Sequence, residues 1–153
     1  DDAATKRALE AHAGVQAILE LWRRLDIAIV GIGGRGWGAA SLGEATASGL
    51  DAAGAVGEIL IAPFDVDGVW VDAGLRERVL AFDARALGRV PVSIGVGAGE
   101  SKVRPILGAL RTGAIRTLVT DVATAEAVVA LDAETLAPST GATNRARSMA
   151  AHR

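Results

Sequence analysis

The chain has 153 residues, half of them apolar, a formal charge of −2 and no cysteine. These totals suit one domain with a real core, exclude a disulfide frame and thiolate chemistry, and leave no basic footprint for nucleic acid. No apolar run approaches the ~20 residues of a membrane span and no signal peptide is visible, while the missing cysteines fit a reducing, cytoplasmic compartment.

The chain opens at Asp1-Asp2 rather than Met, directly on a helical pattern, and is expected to be a trimmed piece of something longer. Ala4, Ala8, Ala11, Val15, Ile18, Leu19 and Trp22 recur on one helical face, which predicts a helix over residues 2–24. Gly14 weakens that helix by about 1 kcal/mol relative to Ala. His12 is expected at the surface; with only one other histidine in the chain it does not argue for a metal site. Ile27–Val30 reads as a short buried strand.

That strand runs into Gly31-Ile32-Gly33-Gly34-Arg35-Gly36, which formally satisfies GxGxxG. A dinucleotide-binding unit would next need a long helix, a second parallel strand and an acid about 20 residues on. The residues after Gly36 are poor helix formers, and Asp51 has no apolar strand before it. The fingerprint fails on context. Gly33 and its neighbours are expected to shape a loop over a pocket, with Arg35 a candidate anion contact.

Residues 39–53 predict a modest helix or pair of turns, and 54–61 a strand entered through glycines and lying at an exposed sheet edge. Glu58 is the odd residue in that strand. It is either an ordinary exposed strand acid or a carboxylate that accepts two sugar hydroxyls. Phe64-Asp65-Val66-Asp67-Gly68 is a turn in which an aspartate bonds its own backbone and Gly68 takes positive φ. Its alternating acids lack the remaining ligands of a calcium loop. Val69-Trp70-Val71 reads as a strand, followed by helical turns over 74–82 and 83–88.

The stretch 92–130 then reads strand, glycine turn, helix, strand, helix. Gly97 and Gly99 let the backbone approach a ligand, the new helix presents N–H groups, and Lys102 adds a point charge. A phosphate or a row of sugar hydroxyls suits such a turn. The plainer reading is a tight strand-to-helix connection with Glu100 complementing the helix dipole and Lys102 solvated. The spacing is not that of a Walker P-loop. Thr120-Asp121 stands where the last helix would be capped, and from Pro138 the pattern dissolves into an expected flexible tail, leaving a domain over 1–137. No Ser-His-Asp set, cysteine nucleophile, HExxH or evident carboxylate pair is present.

Several linked motifs carry a resemblance. GAVGEIL with FDVDG over Gly54–Gly68, then VPVSIGVGAGESKVRPILGALRTGAIRTLVTD over Val90–Asp121, with DIAIVGIGG over Asp26–Gly34 upstream, resemble the effector-binding domain of SorC/DeoR-type sugar-binding transcriptional regulators. The family order is GAVGE, a Phe-Asp turn, a Pro-led strand, a glycine turn ending in Lys, an ALR helix end and LVTD. The resemblance covers about Asp2 to Leu136. It implies an α/β, Rossmann-like layered parallel sheet of the ribose-5-phosphate isomerase, glucosamine-6-phosphate deaminase and CoA-transferase type, present here in part.

It further implies a phosphosugar or sugar effector that controls DNA binding by an N-terminal helix-turn-helix domain absent from this chain. Lys102 would contact ligand oxygens and Glu58 would hold sugar hydroxyls. Gly97 and Gly99 would shape the turn, and the Gly31–Gly34 loop, Gly33 included, would form another wall. A homo-oligomer is expected, without cofactor, metal, membrane or catalysis. An earlier half of the domain, carrying a phosphate-holding loop, would precede Asp2. The alternative is a sugar-phosphate isomerase or deaminase of the same fold, with Glu58 as its base; a nicotinamide-binding domain built on Gly31–Gly36 is a third reading.

Overall fold

The computed structural model describes residues 2–36, 43–72 and 74–136. The expected tail from Pro138 lies outside the described residues, as does the start of the helix expected over 39–53.

The single helix expected over 2–24 is two. Helix α1 (Ala3–Glu10) is capped by Asp2, whose carboxylate accepts the Thr5 N–H at 2.8 Å. The chain then turns extended at His12, whose Nδ1 accepts the Gly14 N–H at 3.2 Å and starts α2 (Ala13–Trp22). A side-chain acceptor that captures an orphan N–H makes a new helix start competitive with continuation, and Gly14 lowers the penalty for breaking.

Strand β1 (Ile27–Gly31) pairs in parallel with β4 (Val92–Val96), and β4 in parallel with β5 (Thr117–Val119). A parallel pair requires a crossover. Between β4 and β5 this is the 3₁₀ turn Glu100–Lys102 followed by α5 (Val103–Arg111). Helix α5 buries Ile106, Leu107 and Ala109 together with Ala28, Val30 and Ile115 in the main core. Helix α6 (Val122–Leu136) packs against α5. Asp121 starts it as expected, accepting the Thr124 N–H at 2.8 Å and the Thr124 hydroxyl at 2.7 Å.

The sheet's two faces differ. Ala28, Val30, Ser93 and Gly95 point into the core, whereas Ile27 and Ile29 on the other face are 58% and 68% exposed. Ser93 is wholly buried, its hydroxyl accepting the Arg116 N–H at 3.2 Å.

Between β1 and β4 the chain makes α3 (Glu44–Ala52) and an antiparallel hairpin, β2 (Gly57–Ile59) and β3 (Ala62–Phe64). The strand expected over 54–61 thus ends early. Leu60 and Ile61 form a two-residue turn with φ of +50° and +67°, a job that Asn-Gly normally announces. Nor is β2 an exposed edge: Gly57 and Ile59 are buried, and α5 packs on the strand. The strand expected at Val69–Val71 is an isolated bridge of Trp70 to Phe64. The helical turn expected over 74–82 is confined to α4 (Leu75–Arg78), with 79–83 irregular before the 3₁₀ helix Ala84–Arg89. The aspartate turn forms as expected: Asp65 Oδ1 accepts the N–H groups of Asp67 and Val69 at 3.0 and 2.8 Å, and Gly68 has φ +81°.

Candidate functional site

Four of the residues singled out from sequence, Gly33, Arg35, Glu58 and Lys102, converge. The loop after β1, the middle of β2 and the start of α5 meet in an open cleft of about 640 Å³ lined by Gly33, Gly34, Arg35, Glu58, Ser101 and Lys102 among others. Both the β1 loop and the turn that delivers Lys102 leave the carboxyl ends of parallel strands, where ligands of open α/β sheets bind.

Gly33 and Glu58 are locked together by backbone. The Gly33 N–H donates to the Glu58 carbonyl at 2.9 Å, and the Glu58 N–H donates to the Gly33 carbonyl at 3.2 Å. A Cβ on Gly33 would stand 2.5 Å from Glu58 Cγ, so only glycine permits this approach. It also accounts for the failed dinucleotide fingerprint. Gly33 bridges to a strand, and the next strand after β1 among the described residues belongs to an antiparallel hairpin.

The Glu58 side chain is half-buried. Burial raises its carboxyl above the ordinary glutamate range, and the Lys102 charge acts in the opposite direction. Lys102 is half-buried too, and its ammonium donates to the Ile32 carbonyl at 3.0 Å. The cation is therefore tied to the same glycine loop that holds Glu58. Arg35 reaches Asp51, with N–O distances of 3.1 and 3.2 Å. A carboxylate acceptor, an ammonium donor and loop backbone around open space offer the hydrogen-bonding and charge chemistry that a polyhydroxylated or anionic ligand requires.

Gly97 and Gly99 are placed differently: neither lines this cleft. Gly97 donates its N–H to the Val119 carbonyl at 3.2 Å. Gly99 has φ +102° and ψ 158°, and its N–H donates to the Thr124 hydroxyl at 2.8 Å. These glycines aim the chain into α5 and so position Lys102. Gly34 lines the cleft as part of the expected glycine wall, and the cleft adds Ser101 and Arg104, to which sequence reasoning gave no role. Ser101 and Arg104 flank Lys102 on the same turn, a proximity that could have drawn attention to them. No group of three or more potential metal ligands occurs among the described residues.

Comparison with known proteins identifies the family. The profile of the "Putative sugar-binding domain" family matches residues 1–130. The chain belongs to this family. It is 36% identical over 117 residues to the sorbitol operon regulator of Klebsiella pneumoniae, a stretch covering 72% of this chain and 37% of that protein. Among solved structures it resembles a transcriptional regulator from Streptococcus pneumoniae TIGR4, with TM-score 0.80, 30% identity and coverage of 87% of this chain and 53% of that one. It likewise resembles the full-length sorbitol operon regulator SorC of Klebsiella pneumoniae, with TM-score 0.78, 32% identity and coverage of 82% and 42%. The chain thus spans about half or less of the length of these relatives. The SorC/DeoR resemblance read from the motifs agrees with the family match and with both sorbitol operon regulator findings, and the α/β parallel-sheet architecture agrees with both solved structures.

Proposed function

We propose that this chain is the ligand-sensing part of a transcriptional regulator, binding a sugar or phosphosugar that controls DNA binding by a helix-turn-helix domain outside these residues. The observation that carries the reading is the convergence of Glu58 and Lys102 across the Gly33 loop, in a chain of the sugar-binding family. Glu58 accepts sugar hydroxyls. Lys102 binds a phosphate or hydroxyl oxygen, exchanging the Ile32 carbonyl for ligand. Gly33 keeps the wall thin enough for the ligand to approach backbone, while Gly97 and Gly99 hold the Lys102 turn in place.

The fold we assign is that of the ribose-5-phosphate isomerase, glucosamine-6-phosphate deaminase and CoA-transferase type. The regulator works in the cytoplasm as a homo-oligomer, without catalysis or cofactor. No described helix is long and apolar enough to cross a membrane.

A calorimetric and thermal-shift panel of phosphorylated and free sugars tests this on the chain and on its Lys102→Ala and Glu58→Ala variants. A bound sugar raises the melting temperature through a stabilisation that grows as the logarithm of one plus the ratio of free ligand concentration to Kd. The expected result is stabilisation by one effector class that both variants lose, Lys102→Ala losing phosphorylated ligands most. Undiminished stabilisation in both variants overturns the assignment of the cleft. Turnover of an aldose or ketose phosphate, followed by NMR, overturns the sensor reading.

A further inference from the structure

The hairpin that carries Glu58 ends in the turn that needs the most explanation in the molecule. Leu60 and Ile61, neither of them glycine, both sit in the left-handed region, at φ +50° and +67°. Such conformations are strained for non-glycine residues and persist only where the surroundings impose them. The two side chains border a cavity of about 210 Å³ that shares no lining residue with the Glu58–Lys102 cleft. Pro63, Val71, Leu75 and Phe82 complete its apolar wall.

The rim is charged, with three cations and two carboxylates in the lining itself. Lys6, Arg76 and Arg85 face two carboxylates, Asp72 and Asp83. Asp83 is divided between Arg76 at 3.2 Å and Arg85 at 3.7 Å. Asp72 is engaged by the Gly74 N–H at 2.9 Å. The Lys6 ammonium, its side chain only 18% exposed, donates to the Arg76 carbonyl at 2.7 Å, with Glu10 3.6 Å away. A second anionic oxygen would relieve the sharing of Asp83, meeting the largely covered Lys6 ammonium on one side and the Arg76 guanidinium, 67% exposed, at the mouth.

We propose that this cavity is a second small-molecule site, taking an apolar monocarboxylate whose branched or aromatic body lies against the Leu60-Ile61 turn and whose carboxylate meets Lys6 and Arg76. The size is suitable. An apolar cavity of about 150 Å³ accepts a benzene ring, which leaves room here for a ring and its carboxylate. The proposal does not depend on the identity of the sugar effector. Because Leu60 lies two residues from Glu58 on one short hairpin, an occupant that holds the turn also biases the strand that presents Glu58.

The test is an amide NMR titration of the 153-residue chain with benzoate and 4-methylpentanoate, with benzyl alcohol as the uncharged control. The expected result is saturable movement of the Leu60, Ile61, Leu75 and Phe82 amides by the carboxylates. Lys6→Gln combined with Arg76→Gln should weaken carboxylate binding about tenfold or more, as loss of a charge-assisted bond implies, and leave the alcohol unaffected. Val79→Trp, which fills the cavity from the end of α4, should abolish both. No saturable movement at millimolar carboxylate overturns the proposal. So does movement centred on Gly33 and Lys102, equal affinity for the alcohol, or undiminished binding by a folded Val79→Trp protein.

Discussion

The two glycine turns at the carboxyl ends of β1 and β4 look alike in sequence and work by different physics. After β1, Gly33 is required by what lies beside it, because a Cβ there would meet Glu58 Cγ at 2.5 Å. After β4, Gly99 has nothing within 4 Å of a Cβ and is required by its own backbone, at φ +102° and ψ 158°. One turn brings two segments into contact; the other changes the direction of a single segment. A substitution at the first should therefore be repairable by a neighbour, and one at the second should not.

The largest effect that tests this contrast is Gly33→Val. A branched side chain forced into the Glu58 position should cost about 3 kcal/mol, the upper end of overpacking, measured by urea unfolding. Glu58→Ala removes the clashing Cγ, so the double variant should recover a good part of that loss. Strict additivity would refute the close-approach explanation.

Gly99→Ala comes next, at about 2 kcal/mol for a conformation that essentially only glycine adopts. Here the Glu58→Ala background should change nothing, the two sites sharing no contact. Recovery in that background would erase the distinction between the turns.

Thr124→Val should be smaller again, about 1–2 kcal/mol. It leaves the Gly99 N–H without its acceptor and Asp121 without the hydroxyl. The Thr124 hydroxyl bond, followed by the backbone N–H bond of the same residue, holds the Asp121 carboxyl below its ordinary range. A group lowered on folding contributes stability above its unfolded pKa and loses it as pH falls through the folded value. The Thr124→Val deficit should accordingly narrow as the solution is acidified through the aspartate range, and a deficit independent of pH would count against the bond.

Glu58→Gln should have the smallest effect and the opposite sign. Burial raises the Glu58 carboxyl, so the charged form is penalised in the folded state. Its contribution is fullest below the unfolded pKa of about 4.3 and is lost as pH rises through the folded value. Removing the charge should thus raise the melting temperature slightly at neutral pH, and the gain should close under acid. A variant less stable than the parent at neutral pH would place Glu58 in a net favourable pairing with Lys102.

Periodicity and punctuation in the sequence were enough for the stretch from Val92 onward. Strand β4, helix α5 ending before Gly113, β5 and the Asp121 cap all lie where apolar spacing, glycine and a capping residue put them. These are local signals, and the chain there follows local preference. The aspartate turn at Asp65–Gly68 was legible for the same reason, since Asp65 bonds its own near backbone. Glu58, Lys102 and Gly33 could be chosen singly, as an acid in an apolar strand, a cation after a glycine turn and a glycine in a loop.

Tertiary structure alone decided the rest. The Leu60-Ile61 turn carries no turn residue, so nothing local announces that the strand after Gly57 reverses; packing of β2 on α5 and of Phe64 within the core imposes it. Above all, the meeting of Gly33 with Glu58 and of Lys102 with the Ile32 carbonyl joins residues 25 and 70 positions apart in the chain. Sequence can nominate an acid, a cation and a glycine, but their distance depends on how the parallel strands cross over, and that is set by what the helices bury.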